Sequence, residues 1–412
     1  MNLYEDLMYR GLIKDVASEN LEKVLNGEPI TFYWGTDPTA DSLTIGHYSS
    51  LITAKRLAKA GHHPILLVGG ATGLIGDPRP TAEREIISKE TLDHYFECIK
   101  KQVSNIFDGN VEIVNNYDWF KDISWIDFLR ETGKYINVNY MLDKDIINRR
   151  LETGITFAEF AYTLMQGYDY EYLYENKNVT LQCAGSDQWG NITTGVDLIA
   201  KKCGKSVNAF TMPLILDDSG KKIGKSEGNA VWLDKSKTSS YKLFQYFINT
   251  ADSKVEEFLK VFTFLTKEEI EDIMAKHNEK PEERIAQRAL AKELITDLHG
   301  KEEYEKAEKI SKALFTDEIY FLSKEDILGA LDGVPTFTIS DTNILDVLVN
   351  GNICSSKREA REMVSGNAIS INNNKITDLE YEVTSKDAID GEVLVLKKGK
   401  RNYYIGNFKK DN

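Results

Sequence analysis

The chain has 412 residues, 42% hydrophobic and 28% charged, with a formal net charge of −14; this allows two to three domains and excludes a fibrous or mostly disordered protein. No apolar run approaches the ~18 residues that span a membrane, and the N-terminal segment, with Glu5 and Asp6, lacks the basic-then-apolar pattern of a secretion signal. Cys98, Cys183, Cys203 and Cys354 never form a Cys-x-x-Cys pair, so neither a disulfide framework nor a tightly held protein-liganded metal is expected, and a reducing cytoplasm is.

Residues 29–34 read as a short strand. Residues 46–59 place Leu51, Ala54, Leu57 and Ala58 on one helical face and stop at Gly61. Residues 62–68 contain the buried-strand run Pro64-Ile-Leu-Leu-Val68 and end at Gly69-Gly70, and further strands are expected at 111–114, 179–183 and 210–216. Strands separated by helical stretches imply βαβ units, hence an α/β fold with a parallel sheet covered on both faces. Such sheets bind ligands at the C-terminal ends of their strands. Chemistry is therefore expected in the loops after Trp34, Val68 and Cys183. Residues 119–172 break the strand rhythm and are aromatic-rich (Trp119, Phe120, Trp125, Phe128, Tyr135, Tyr140), which suits a core helix pair or an oligomer interface. Residues 239–313 are dense in Glu and Lys at helical spacing, with Pro281 near the start of one helix, and read as a separate helical domain. Residues 329–341 read as a linker. The tail then reads as a small α+β unit, with helices at 344–350 and 357–365 and strands at 368–372, 375–377, 393–397 and 403–405.

The charge speaks against a nucleic-acid partner only as an average. Residues 341–412 carry 11 Lys+Arg against 11 Asp+Glu, so the entire deficit lies in residues 1–340. Lys357, Arg358 and Arg361 share one predicted helix of that balanced tail, and Lys397, Lys398, Lys400 and Arg401 one hairpin.

Five segments carry chemistry. In Tyr33-Trp-Gly-Thr-Asp-Pro-Thr39 through Thr44-Ile-Gly-His47 a strand ends and a helix begins, a place where backbone N–H groups attract phosphate. Thr39 and Thr44 add hydroxyls, and His47 either caps the helix or meets a sugar or phosphate. Gly69-Gly-Ala-Thr-Gly-Leu-Ile-Gly-Asp77 implies a close backbone approach but matches neither the phosphate loop nor the dinucleotide fingerprint. Asp77 is either an anion for a ligand ammonium or part of an Asp-Pro turn. Tyr162, Gln166 and Asp169 fall at i, i+4 and i+7, one face of a helix otherwise rich in apolar residues. Gly185-Ser-Asp187-Gln188-Trp-Gly-Asn191 follows a strand and either caps a helix or offers Asp187 to ribose hydroxyls and Gln188 to a ligand carboxylate. Ser219-Gly-Lys-Lys222-Ile-Gly-Lys225-Ser226 is a basic glycine-bearing loop suited to polyphosphate or to plain solvation.

Together these strings resemble bacterial tyrosyl-tRNA synthetases, which are class I aminoacyl-tRNA synthetases. Thr44-Ile-Gly-His47 matches the family's HIGH signature and Lys222-Ile-Gly-Lys-Ser226 its KMSKS signature, while Gly-Ser-Asp-Gln-Trp-Gly-Asn (185–191) and Gly-Leu-Ile-Gly-Asp-Pro (73–78) are family strings. Ser355-Ser-Lys-Arg-Glu-Ala-Arg361 matches its C-terminal RNA-binding module. The resemblance implies a Rossmann-like catalytic domain over 1–232 with a dimer-forming insertion, an α-helical anticodon-side domain over 233–325, a linker over 326–340 and a small α+β RNA-binding domain over 341–412.

It also implies roles. Tyr33 and Asp169 would bind the phenolic hydroxyl of L-tyrosine, with Asp77, Tyr162 and Gln166 at its ammonium and Gln188 at its carboxylate. Gly35, Asp37, Thr39, Thr44, Gly46, His47, Ser50, Gly185, Asp187, Lys222 and Lys225 would contact ATP, with Asp187 and Ser50 at the ribose. Thr39, Thr44, His47, Lys222, Lys225, Ser226 and Arg84 would serve catalysis at the phosphates, and Lys357, Arg358 and Arg361 would bind tRNA(Tyr). ATP would arrive with Mg2+. A homodimer through the region around 119–140 is implied, and no membrane partner. Three positions depart from the common pattern: Thr44 opens the HIGH signature in place of histidine, Trp34 stands where a small residue is usual, and the loop after Asp77 is shortened. A tryptophanyl-tRNA synthetase is the nearest rival, since it shares the fold but has no use for a Tyr33–Asp169 phenol pair. A non-catalytic RNA-binding protein on the same fold is the other.

Overall fold

The computed structural model describes residues 1–78, 87–226, 229–316, 322–331, 334–340, 342–399 and 402–408, the side chains at 145–146, 225–226, 229 and 314–315 excepted. These group into two compact units, Met1–Thr238 with Ile248–Leu298, and Ser239–Phe247 with His299–Asn412.

The first unit is built on six strands: β1 (Val16–Ala17), β2 (Thr31–Thr36), β3 (His63–Val68), β4 (Glu112–Asn115), β5 (Val179–Gly185) and β6 (Asn208–Met212). Their order is β1-β6-β5-β2-β3-β4, parallel throughout except that β1 runs antiparallel to β6. The expected strands stand within a few residues of their places. The last one ends at Met212 rather than at 216, because Pro213 has no N–H to continue a ladder. β1 has two residues, too few for any periodicity. Phe32, Leu66, Leu181 and Phe210 are buried within the sheet. Chain order reverses between β2 and β5, and the crevice beyond the C-terminal ends of two such strands is where an open α/β sheet receives its ligand.

Two helices flank that crevice. The Phe157–Lys177 helix opens with a capping box, Thr156 with Glu159, and ends on Asn178 in the left-handed conformation. It packs on the Trp189–Cys203 helix so closely that a Cβ added at Gly195 would stand 2.9 Å from Tyr170 Cβ. The Ile45–Lys59 helix buries Tyr48, Leu51, Ile52 and also Lys55 and Arg56. The two cations are buried because they tie later helices to this unit. Arg56 donates to the carbonyls of Val261 (3.1 Å) and Thr263, and Arg10 to those of Lys260 (2.8 Å) and Leu265 (2.6 Å). Burial, with Arg10 as a like-charged neighbour, lowers the Arg56 guanidinium to about 9. Asp297 accepts from Tyr48 and from Lys55 (2.6 Å).

These contacts explain a difference from the sequence expectation. Residues 233–325 do not cluster as one separate helical domain; 233–238 and Ile248–Leu298 belong to the first unit, Ser239–Phe247 and 299–325 to the second. The helix expected at Pro281 begins at Ile285, after a 3-10 turn (Pro281–Glu283) closed by Arg284 with φ +56°.

The second unit holds a five-stranded sheet of β9 (Thr336–Ile339), β10 (Ile369–Ile371), β11 (Asn374–Lys375), β12 (Val393–Lys398) and β13 (Asn402–Phe408), ordered β11-β10-β12-β13-β9 (β7 and β8, given below, belong to the first unit). The described residues of the segment expected as a linker, 326–340, include most of the Lys324–Ala330 helix and all of β9, which pairs in parallel with β13. Alternation in Thr-Phe-Thr-Ile carries the strand, and Ile339 packs into the tail's core with Ile344, Leu348 and Leu394.

Among the described residues no helix is long and apolar enough to cross a membrane.

Candidate active site

The crevice is a cavity of about 460 Å³ in the first unit. Its walls come from the ends of β2 and β5, the start of the Ile45–Lys59 helix, the polar face of the Phe157–Lys177 helix and the loop after β6. Every residue expected at tyrosine lines it: Tyr33, Asp77, Tyr162, Gln166, Asp169 and Gln188. So do Gly35, Asp37, Thr39, Thr44, Gly46, His47, Ser50, Gly185, Asp187 and Lys222 of the nucleotide set. The i, i+4, i+7 face is thus a cavity wall. Arg84 lies outside the described residues, as do the side chains of Lys225 and Ser226.

Asp169 sits at the dry part of the cavity, 2% exposed. Its carboxylate accepts from Trp119 Nε1 at 2.9 Å and Asn116 Nδ2 at 3.1 Å. Burial nevertheless pushes the carboxyl up to about 8, and the nearby Asp37 adds to this. Tyr33, also 2% exposed, has a buried hydroxyl with no hydrogen-bond partner among the described residues. Gln182 lies near it without completing a bond, and burial, then the Asp169 charge, hold the phenol well above its ordinary range. An orphaned O–H beside a desolvated carboxylate is costly unless a ligand supplies the missing partner.

Around the rim the polar groups form two networks. Asp77 accepts from Gln188 Nε2 (2.9 Å) and Asn191 Nδ2 (3.1 Å), and Asn191 Oδ1 accepts from Thr163. Asp37 accepts from Tyr162 OH (2.8 Å) and from Thr72 Oγ1 (2.7 Å), and Thr72 accepts in turn from Asn116. Beyond Asp37, Asp77, Tyr162 and Gln188, neither network was legible in the sequence. Asn116, Trp119 and Thr72 act through tertiary contacts 35 to 53 residues along the chain, and Asn191 through Asp77, 114 residues away, and Thr163, 28 residues away. Of the two readings of the aromatic stretch, Trp119 follows the core one: it is buried and holds Asp169.

The two signature segments meet backbone to backbone. Thr44 caps the Ile45–Lys59 helix, and its N–H donates to His47 Nδ1 at 3.2 Å, which leaves the ring hydrogen on Nε2 in the neutral imidazole. The capping and site readings of His47 therefore hold together. A Cβ at Gly224 would stand 2.9 Å from Ile45 Cγ2 and 3.0 Å from Gly46 N, and a Cβ at Gly46 would stand 3.0 Å from the Ile223 carbonyl. Gly224 also has φ +91°, so glycine is required there on both counts. Lys222 lies 3.1 Å from Asp187, both about half exposed. Past Gly224 the chain forms a short hairpin, β7 (Lys225–Ser226) with β8 (Asn229–Ala230). Ser50 Oγ accepts from Trp34 Nε1 (3.0 Å) and donates to the His47 carbonyl (3.0 Å), so the bulky residue at 34 is wedged against the position expected at the ribose.

In the second unit, Lys357 pairs with Asp346 (2.5 Å) and Arg358 with Glu362 (3.1 Å), while exposed Arg361 makes no ion pair among the described residues.

Residues 25–316 match the family of class I tRNA synthetases (W and Y), and residues 326–405 the SYY-like C-terminal domain of tyrosine–tRNA ligases. The chain is 47% identical over 419 aligned residues to the tyrosine–tRNA ligase of Streptococcus agalactiae, covering 99% of this chain and 100% of that protein. It is 48% identical to tyrosine–tRNA ligase 1 of Streptococcus thermophilus, covering 98% and 99%. Among solved structures it resembles a C-terminally truncated mitochondrial tyrosyl-tRNA synthetase of Aspergillus nidulans, with TM-score 0.69 and 32% identity over 76% of this chain and 94% of that one. A tryptophanyl-tRNA synthetase of Encephalitozoon cuniculi shares the fold alone, at TM-score 0.53 and 15% identity, covering 79% of this chain and 90% of that one. Near half of all positions thus agree with tyrosine–tRNA ligases end to end, and the C-terminal part matches a domain of that family: the chain belongs to the tyrosine–tRNA ligases of class I.

Proposed function

We propose that the chain activates L-tyrosine with ATP, giving tyrosyl-adenylate and pyrophosphate, and passes the tyrosyl group to the 3'-terminal adenosine of tRNA(Tyr). The observation that carries this reading is that one cavity is lined both by the Tyr33–Asp169 pair and by the two signature segments.

The phenol of the substrate donates to Asp169 and accepts from Tyr33. This fills the two needs the apolar pocket leaves open, and phenylalanine fills neither. Discrimination of this type reaches about 10⁵, a figure whose reference case is this enzyme class itself. The ammonium is held by Asp77 and Gln166, with Tyr162 positioned by Asp37, and the carboxylate turns toward Gln188. That carboxylate is already an anion, so it attacks the α-phosphorus in line with no strong general base. The bond to the β-phosphate breaks as the carboxylate–phosphorus bond forms, and pyrophosphate departs. Catalysis is positioning plus charge stabilisation. Lys222 exchanges Asp187 for phosphate while Asp187 turns to ribose hydroxyls; an exposed pair of this kind is worth at most ~1 kcal/mol, so the exchange is cheap. Lys225, Ser226 and Arg84 complete the phosphate contacts. Mg2+ comes on the nucleotide. The described cavity carboxylates each already serve a protein donor, Asp37 two hydroxyls, Asp77 two amides, Asp169 an amide and an indole, and Asp187 an ammonium, which fits no dedicated protein cage.

Tyrosine-dependent ATP–pyrophosphate exchange tests the reading; exchange driven by tryptophan instead would reject it. Within the pocket, Tyr33→Phe removes an unpartnered buried hydroxyl. It is expected to raise the melting temperature by about one to three degrees while weakening tyrosine binding about tenfold, measured by scanning calorimetry and equilibrium dialysis.

The tail binds tRNA through the Lys357–Ser365 helix. Arg361→Glu together with Lys357→Glu is expected to raise KM for tRNA about tenfold or more and to leave pyrophosphate exchange unchanged; an equal loss in exchange would make the helix structural. The exposed apolar groups Trp125 (54%), Ile126 (73%), Val138 (59%) and Phe157 (65%) support a homodimer through this region, to be checked by light scattering.

A further inference from the structure

On another side of the helix that carries Asp169 and the helix that Gln188 caps lies a polar cluster that the proposed reaction does not use. Glu171 and Glu175 stand one turn apart on the Phe157–Lys177 helix, and Cys203 ends the Trp189–Cys203 helix. One ligand atom from each lies within 4.8 Å of the other two. Glu171 is 1% exposed; its Oε1 accepts from Lys202 Nζ at 2.5 Å, and its Oε2 is buried without any hydrogen-bond partner among the described residues. The Cys203 thiol donates to Glu175 Oε1 at 3.6 Å.

Three features converge on a cation. A carboxylate oxygen buried without a donor is a standing cost that a positive ligand removes. Two carboxylates against one ammonium leave a local charge of about −1, and a divalent ion that displaces the thiol proton brings the cluster to neutrality. The donor set of one thiolate and two carboxylates selects the zinc class over Ca2+ or Mg2+, which take oxygen alone. Tetrahedral bonds of about 2.0–2.3 Å place ligand atoms roughly 3.5 Å apart, so the cluster must tighten by about an ångström, within reach of the exposed Glu175 side chain.

We propose that Glu171, Glu175 and Cys203 form a divalent transition-metal site of the zinc class that staples the two helices bearing the tyrosine-lining residues. On binding, the metal–sulfur bond forms as the S–H bond breaks, the proton leaves to water, Lys202 stays on Glu171 Oε1 and a water completes the fourth position. No electron is transferred.

The test is titration of the chelator-treated full-length chain with Co2+. Expected is a thiolate-to-cobalt charge-transfer band in the near ultraviolet with tetrahedral visible bands, saturating at one equivalent and displaced by Zn2+. Cys203→Ser abolishes the charge-transfer band, Glu175→Gln weakens Co2+ binding about tenfold or more, and Cys98→Ser changes neither. Glu175 is exposed and Cys203 only borders the core, and unchanged pyrophosphate exchange without added cobalt verifies that both variants are folded. The proposal is overturned if the wild-type chain gives no charge-transfer band, or if the band survives Cys203→Ser.

Discussion

Asp169→Ala is expected to lower kcat/KM for tyrosine roughly 10²–10³-fold while ATP affinity stays within about threefold of wild type. The substitution removes a hydrogen-bond acceptor for the substrate hydroxyl and strands the Trp119 and Asn116 donors in a dry pocket, each loss costing about 1–3 kcal/mol. Steady-state exchange kinetics with each substrate varied in turn measure it, and equal losses for both substrates would remove Asp169 from tyrosine recognition. Asp169→Asn separates recognition from stability. Burial holds the native carboxyl at about 8 against an ordinary 3.8, so the folded protein keeps a proton that the unfolded chain has lost. Stability from this group is complete below about pH 4, declines by about 1.4 kcal/mol per unit as pH rises from there, and is gone above about 8. Relative to wild type, the asparagine variant should therefore gain stability between pH 5 and 8.5, read as diverging melting temperatures, even as it loses tyrosine. Parallel melting curves across that range would show an ordinary carboxylate.

Gly224→Ala is expected to slow adenylate formation about 10²-fold and leave tyrosine binding within about threefold. The new methyl meets Ile45 and the Gly46 backbone at 2.9–3.0 Å, and φ of +91° adds backbone strain. Relief comes by pushing the lysine-bearing loop away from the helix that carries His47, and displacement of about an ångström at reacting groups is worth about that factor. Rapid-quench measurement of the first turnover beside equilibrium dialysis of tyrosine separates the two effects. Loss of tyrosine affinity of the same size would mean that the glycine shapes the whole cavity.

What the sequence disclosed follows from the range of the physics involved. Local periodicity located β2 to β6, and one helical face united Tyr162, Gln166 and Asp169 before any fold was known. Resemblance then supplied roles that spacing alone left open. Hidden were the groups whose meaning is tertiary. Trp119 looks like an ordinary member of an aromatic stretch and Asn116 like a residue just before it, until the fold brings them to a carboxylate 50 and 53 residues away. Arg10 and Arg56 stand in no motif the sequence singles out, yet both are buried against carbonyls some 200 residues distant or more, which is why the helices from Ile248 to Leu298 belong with the sheet. β1 is too short to carry a pattern. β9, four residues before a predicted module, pairs with a strand more than 60 residues later, and parallel pairing leaves no hairpin signal.

That last strand sets where the tail can be cut. Severing the chain at 341 would strip β9 from β13 and bare a row of backbone N–H and C=O groups from Ile405 to Phe408, beside a Gly406 that offers no side chain in place of Ile339 and Phe337. An open, unguarded edge recruits its like. A fragment starting at 341 should self-associate by strand addition more readily than one starting before Thr336, which keeps β13 paired and ends its sheet on the four-residue β9 instead.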